Sequence, residues 1–89
     1  MPEIQLLINN AVGLHARPAS LFVQESRKFV SDITVSLEDS EADAKSILDL
    51  LLLGANQGCT VTVRAEGPDA EQALAALTDL HARNFGEKE

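Results

Sequence analysis

A chain of 89 residues with a single cysteine, Cys59, has the length for one domain spanning residues 1–89 and cannot form an internal disulfide. Its formal net charge of −7, from seven Lys and Arg against fourteen Asp and Glu, repels phosphate polymers and argues against nucleic acid, while still permitting a local basic patch for one phosphate or one acidic surface. With no Trp, no Tyr and three Phe among 45% hydrophobic residues, the core is expected to be aliphatic, with Phe22, Phe29 and Phe85 as its large pieces.

The first ten residues lack the basic and apolar regions of a signal peptide, and no apolar run, the leucines Leu50 to Leu53 included, exceeds five residues, far too short for a bilayer. A small domain without disulfides fits a reducing compartment. The expectation is a cytoplasmic, monomeric protein with no membrane insertion.

In chain order, Ile4, Leu6 and Ile8 alternate and predict a strand with one buried face. Asn9, Asn10 and Gly13 mark a loop. Pro18 suits the first turn of a helix, predicted from Ala16 to about Lys28, with Ala19, Phe22, Val23 and Ser26 near one face. Ile33, Val35 and Leu37 oppose Thr34 and Ser36 in a second strand, and a weak third strand is expected near Glu41 to Asp43. Ser46 and Asp49 have the S-x-x-D spacing of a helix start, with the serine hydroxyl as cap, and Gly54 or Gly58 closes that segment. Val61, Val63 and Ala65 alternate with Thr60, Thr62 and Arg64. Asp69 and Glu71 are expected in the first turn of a last helix with a stripe of Ala73, Leu74, Leu77 and Leu80. The order is βαββαβα, and strands with one apolar and one polar face call for helices on one side only.

The stretch with chemical content is Gly13-Leu14-His15-Ala16-Arg17-Pro18-Ala19. His15 stands just before a helix, where the main-chain N–H groups of Ala16 and Arg17 have no intrahelical acceptors and, with the helix dipole, attract an anion. Arg17 offers a planar guanidinium that can hold phosphate oxygens in pairs. An imidazole that is neutral near pH 7 can attack phosphorus, and the resulting P–N bond is labile enough to pass the group on. On spacing alone, a histidine before a helix is more often a polar loop residue. A metal site has less support, since His81 is the only other histidine.

Residues 13–20, GLHARPAS, resemble the active-site motif of HPr, the histidine-containing phosphocarrier family of the bacterial sugar phosphotransferase system. Ala44-Lys45-Ser46-Ile47-Leu48 resembles that family's second signature, at the matching position, and Gly58–Gly67, Asp69–Leu80 and the ending Phe85-Gly86-Glu87 follow its pattern. The resemblance implies an α+β open-faced β-sandwich: a four-stranded antiparallel sheet with three helices on one face. It implies phosphorylation of His15 at Nδ1 by enzyme I, charged from phosphoenolpyruvate, and transfer to the EIIA part of a sugar permease, with Arg17 as the phosphate-binding partner. The protein would be a carrier and not an enzyme, without cofactor or metal. No nucleotide-binding G-x-x-x-x-G-K-[ST] loop is present in the sequence.

A short second helix cannot bury Ile47, Leu48, Leu50, Leu51, Leu52 and Leu53 on one face, so Ile47, Leu48 and Leu51 are expected to lie exposed beside His15 as a docking patch. Without the resemblance, the same leucines read as ordinary core. Ser20, Gln24 and Arg27 would flank the patch, and Arg17, Arg27 and Lys45 would meet acidic groups on partners. Ser46 is a helix cap, and the resemblance adds a regulatory phosphosite for an HPr kinase/phosphorylase, with Asp49 placing a repelling charge one turn away. The alternative function is a regulatory carrier in a nitrogen-related branch or in catabolite control. A small α/β nucleic-acid binder is opposed by the charge and by a polar sheet face without aromatics. Cys59 is expected to pack at the start of the last strand, and His81 to lie on the solvent side of the last helix.

Overall fold

The computed structural model describes residues 2–8, 16–54 and 58–83, of which 16–18 are described by their backbone alone. Seven elements follow in the expected order: β1 (Glu3–Leu7), α1 (Ala16–Ser26), β2 (Asp32–Leu37), β3 (Ser40–Asp43), α2 (Ile47–Leu53), β4 (Thr60–Glu66) and α3 (Ala70–Ala82). The strands form one antiparallel sheet in the order β1-β4-β2-β3. Two central strands thus carry the sheet, and β1 and β3 form its edges.

Alternation sets which face is covered. Ile33 and Val35 of β2, Ala42 of β3, Val61, Val63 and Ala65 of β4, and Leu6 of β1 all point inward and are buried. Register keeps them together, with Val35 opposite Val63 and Ile33 opposite Ala65. Thr34, Ser36, Thr62 and Arg64 take the other face. The helices supply the second layer: Ala19, Phe22 and Val23 from α1, Leu50 from α2, and Ala70, Ala73, Leu74, Leu77 and Leu80 from α3. Phe29 packs at the margin of this core, and Phe85 lies outside the described residues.

Three local features differ from the sequence reading. α1 ends at Ser26 instead of about Lys28, because the amide of Phe29 turns back to the Ser26 carbonyl at 3.3 Å and the chain leaves the helix to enter β2. β3 begins one residue early, at Ser40, which pairs with Leu37 across a turn where Glu38 has φ +55°. Asp69 is not inside the first turn of α3 but at its N-cap, and its side chain caps nothing in that helix.

The Asp69 carboxylate instead reaches across to the entry of β2. It accepts the amides of Val30 at 3.0 Å and Ser31 at 2.9 Å, together with the buried Ser31 hydroxyl. The Ser31 oxygen in turn accepts the Asp69 amide at 3.2 Å. Bonds to an ionised acceptor are stronger than neutral ones. The Ser31 hydroxyl first, then the Val30 amide, hold the Asp69 carboxyl below the usual carboxylate range. Gly67 closes this joint from the other side. Its φ is +148°, and a Cβ there would stand 2.5 Å from Ser31 Oγ and 2.7 Å from Ser31 Cα.

Two outcomes follow from this joint. A carboxyl that titrates lower when folded contributes in full above its unfolded pKa, about 4, and loses that contribution as pH falls through the folded value. Asp69→Asn therefore unfolds more readily than the wild type at pH 7, and the gap narrows below about pH 4 in denaturant titrations; a gap unchanged down to pH 2 would contradict the clamp. Gly67→Ala, forced against the Ser31 backbone in a conformation hostile to a side chain, loses about 2–4 kcal/mol, read as a lowered melting temperature.

Candidate functional site

The chain reaches the candidate site from β1 and leaves it into α1. At the near end, Ile8 is held on β4's approach: its amide donates to the Cys59 carbonyl at 2.8 Å, and the Gly58 amide donates to the Ile8 carbonyl at 2.7 Å. The Leu7 carbonyl accepts a hydrogen bond from Nε2 of His81 on α3. His81 is thus half-buried against the end of β1, not on the solvent side of its helix, because α3 packs along β1 and brings its C-terminal turn there. Cys59 is a free, half-buried thiol directly before β4, where it was expected.

His15 lies outside the described residues, as does the side chain of Arg17. What is described is the far end of the connection. α1 begins at Ala16, so the amides of Ala16 and Arg17 fall in its first turn, among those that have no partner inside a helix. No acidic residue sits in that turn, so nothing on the helix neutralises its positive end. Among the described residues, no group of three or more His, Cys, Asp or Glu is arranged to hold a metal ion.

α2 is short because Ser46 and Gly54 bracket it. The Ser46 hydroxyl accepts the Asp49 amide at 3.3 Å, and Gly54 ends the helix in the left-handed conformation. Asp49 does not return the bond to Ser46; its carboxylate accepts the Asp43 amide at 3.3 Å. With seven residues, α2 buries Leu50 completely and Leu53 in part. At 100° per residue, Ile47, Leu51, Leu48 and Leu52 sweep a continuous arc of about 140° away from Leu50. All four are exposed, from 39% at Leu51 to 76% at Leu52. Exposure at Ile47, Leu48 and Leu51 agrees with the sequence reading. Leu52 was missed: in an uninterrupted leucine run only the phase of the buried residue tells its neighbours apart.

α1 packs against α2 and supplies the polar border. Gln24 Nε2 donates to Ser20 Oγ at 3.3 Å, one turn apart. Arg27 and Lys45, expected to meet acidic groups on partners, also make hydrogen bonds within the chain. The Arg27 guanidinium donates through Nε and Nη2 to the Lys45 carbonyl, at 3.2 and 3.1 Å, and Lys45 Nζ donates to the Phe29 carbonyl at 2.7 Å. Both acceptors are uncharged, so the positive charges remain uncancelled there. Four of the seven Lys and Arg residues, Arg17, Arg27, Lys28 and Lys45, occur between the start of α1 and the start of α2. The same stretch also carries Glu25, Asp32, Glu38, Asp39, Glu41 and Asp43, so the positive charge is local to Arg27 and Lys45 and is not a property of the whole segment.

Comparison with known proteins agrees with this architecture. Residues 2–83 match the family described as the PTS HPr component phosphorylation site. The chain is 41% identical over 87 residues to the phosphocarrier protein HPr of Xylella fastidiosa, covering 98% of each, and 45% identical over 80 residues to that of Vibrio cholerae, covering 90% of this chain and 94% of the relative. It superposes on the crystal structure of an HPr from Thermoanaerobacter tengcongensis with a TM-score of 0.95, 47% identity and complete coverage of both chains. A one-sided four-stranded sheet, a helix opening directly after GLH and a family match across nearly all the described chain place this protein in the HPr phosphocarrier family.

Proposed function

We propose that His15 accepts a phosphoryl group through Nδ1 from phosphorylated enzyme I, supplied by phosphoenolpyruvate, and passes it to the EIIA component of a sugar permease. The observation that carries this reading is the coincidence of the family's phosphorylation-site match with a helix that opens at Ala16, one residue after the histidine. The neutral imidazole uses the Nδ1 lone pair to form a new P–N bond as the donor's bond to phosphorus breaks, and the donor atom keeps its electron pair. Nε2 retains its proton throughout. The first-turn amides of Ala16 and Arg17 and the Arg17 guanidinium stabilise charge on the phosphoryl oxygens. Donation to EIIA reverses these steps. The chain is then a substrate and donor in turn, without turnover of its own.

Docking rests on the exposed α2 arc of Ile47, Leu48 and Leu51 with Ser20, Gln24, Arg27 and Lys45 around it. An apolar centre with a positive border suits acidic partner surfaces, because the centre supplies burial and the border steers the encounter. Ser46 enters this reading as the cap that starts α2.

Incubation with enzyme I and labelled phosphoenolpyruvate should give acid-labile label on the wild type and none on His15→Ala. Label that persists in the variant would move the site elsewhere. Leu48 is 62% exposed, so Leu48→Asp should leave the melting temperature unchanged. It should raise the KM of enzyme I for this protein about tenfold, or ~1.4 kcal/mol. An unchanged KM would remove Leu48 from the interface.

A further inference from the structure

Arg27 borders the docking patch as an exposed charge, yet its Nε and Nη2 donate to a main-chain carbonyl of the same chain. We infer that Arg27 is a positioning residue, whose forked guanidinium holds the start of α2 against the end of α1 and so fixes the angle at which the apolar arc is presented.

The geometry supports a two-way brace. Arg27 follows the last residue of α1, and both Nε and Nη2 converge on one acceptor, the carbonyl of Lys45. Lys45 returns the link through Nζ to the carbonyl of Phe29, two residues beyond Arg27. The segment so gripped is tied down on its other side as well. The Lys45 amide donates to Asp43 Oδ1 at 2.9 Å, and the Ser46 amide to the Asp43 carbonyl at 3.0 Å. Ser46 is the next residue and the N-cap of α2, and its carbonyl accepts the first helical bond, from Leu50, at 3.2 Å. α2 is two turns long and buries only Leu50 completely, so its tilt depends on its contacts with β3 and α1 and on the polar links at its start.

Two donors meeting one carbonyl require the planar fork of arginine. Lysine matches the charge and approximate length but offers a single ammonium on a flexible stem. This separates a brace from a charge that simply meets the partner, because Arg27→Lys keeps the second and loses the first. The inference deepens the proposed function and rests on it for its kinetic consequence, whereas the structural consequence is measurable without any partner.

The experiment compares wild type, Arg27→Lys and Arg27→Gln in two assays. Amide hydrogen exchange of the free protein should quicken at Ser46, Asp49 and Leu50, roughly three- to tenfold, in both variants alike. In phosphotransfer from enzyme I, both variants should show KM raised with kcat unchanged, Arg27→Gln at least as much as Arg27→Lys because it also removes a border charge; a misaimed docking face weakens encounter and leaves the chemistry intact. Wild-type exchange and KM in Arg27→Lys would overturn the proposal, as would faster exchange with KM unaltered. Absence of any phosphorylation of the wild type would instead defeat the carrier reading, with the exchange result still deciding whether the brace exists.

Discussion

One-sided burial of the sheet is the constraint on which everything else depends. Every strand contributes aliphatic side chains to a single face, and 89 residues provide only enough helix to cover that face once. Burial is the dominant favourable term in folding and is indifferent to direction, so specificity must come from elsewhere. Here it comes from register. Val35 opposite Val63, and Ile33 opposite Ala65, hold the inward set in phase, and a slip of one residue would turn all of them toward water. The second face remains polar, with Thr34, Ser36, Thr62 and Arg64, and makes no call on the helices.

Covering a sheet from one side leaves helix ends and one helix flank available for function. α3, the longest helix, buries five residues and anchors the layer along β1 and β4. α1 is shared between core and surface: Ala19, Phe22 and Val23 face inward, while its first turn opens directly after His15. α2 has the weakest hold on the core and the most apolar surface in water. These demands conflict in the ordinary economy of folding, since exposed leucines gain nothing from burial in the free protein. The docking proposed for α2 would resolve the conflict, because the exposed area would then be buried on contact with a partner.

Two polar joints hold this arrangement in place. Asp69, with Ser31 and Gly67, fastens the start of α3 to the start of β2, far apart in sequence and adjacent in space. Arg27, with Lys45, fastens the end of α1 to the start of α2. In both, a charged side chain satisfies main-chain groups at the margin of a regular element, where the ladder and the helix leave donors or acceptors without partners. The first secures the core. The second lies beside the exposed leucines.

The element order, most of the inward residues and the family are legible in local pattern. Alternation at Ile33, Val35 and Leu37, and the stripe of Ala73, Leu74, Leu77 and Leu80, are periodic signals that survive without tertiary context. GLHARPAS and AKSIL lie in register, and each is local. The layers had to meet before it was settled that Leu52 also faces outward, that Asp69 clamps Ser31 instead of supporting its own helix, that His81 bonds to Leu7 and that Arg27 grips Lys45. Each of these is a pairing between segments distant in the chain, or a rotational phase set by such pairing. Local pattern carries neither, because the partner of a polar side chain is chosen only when the layers meet.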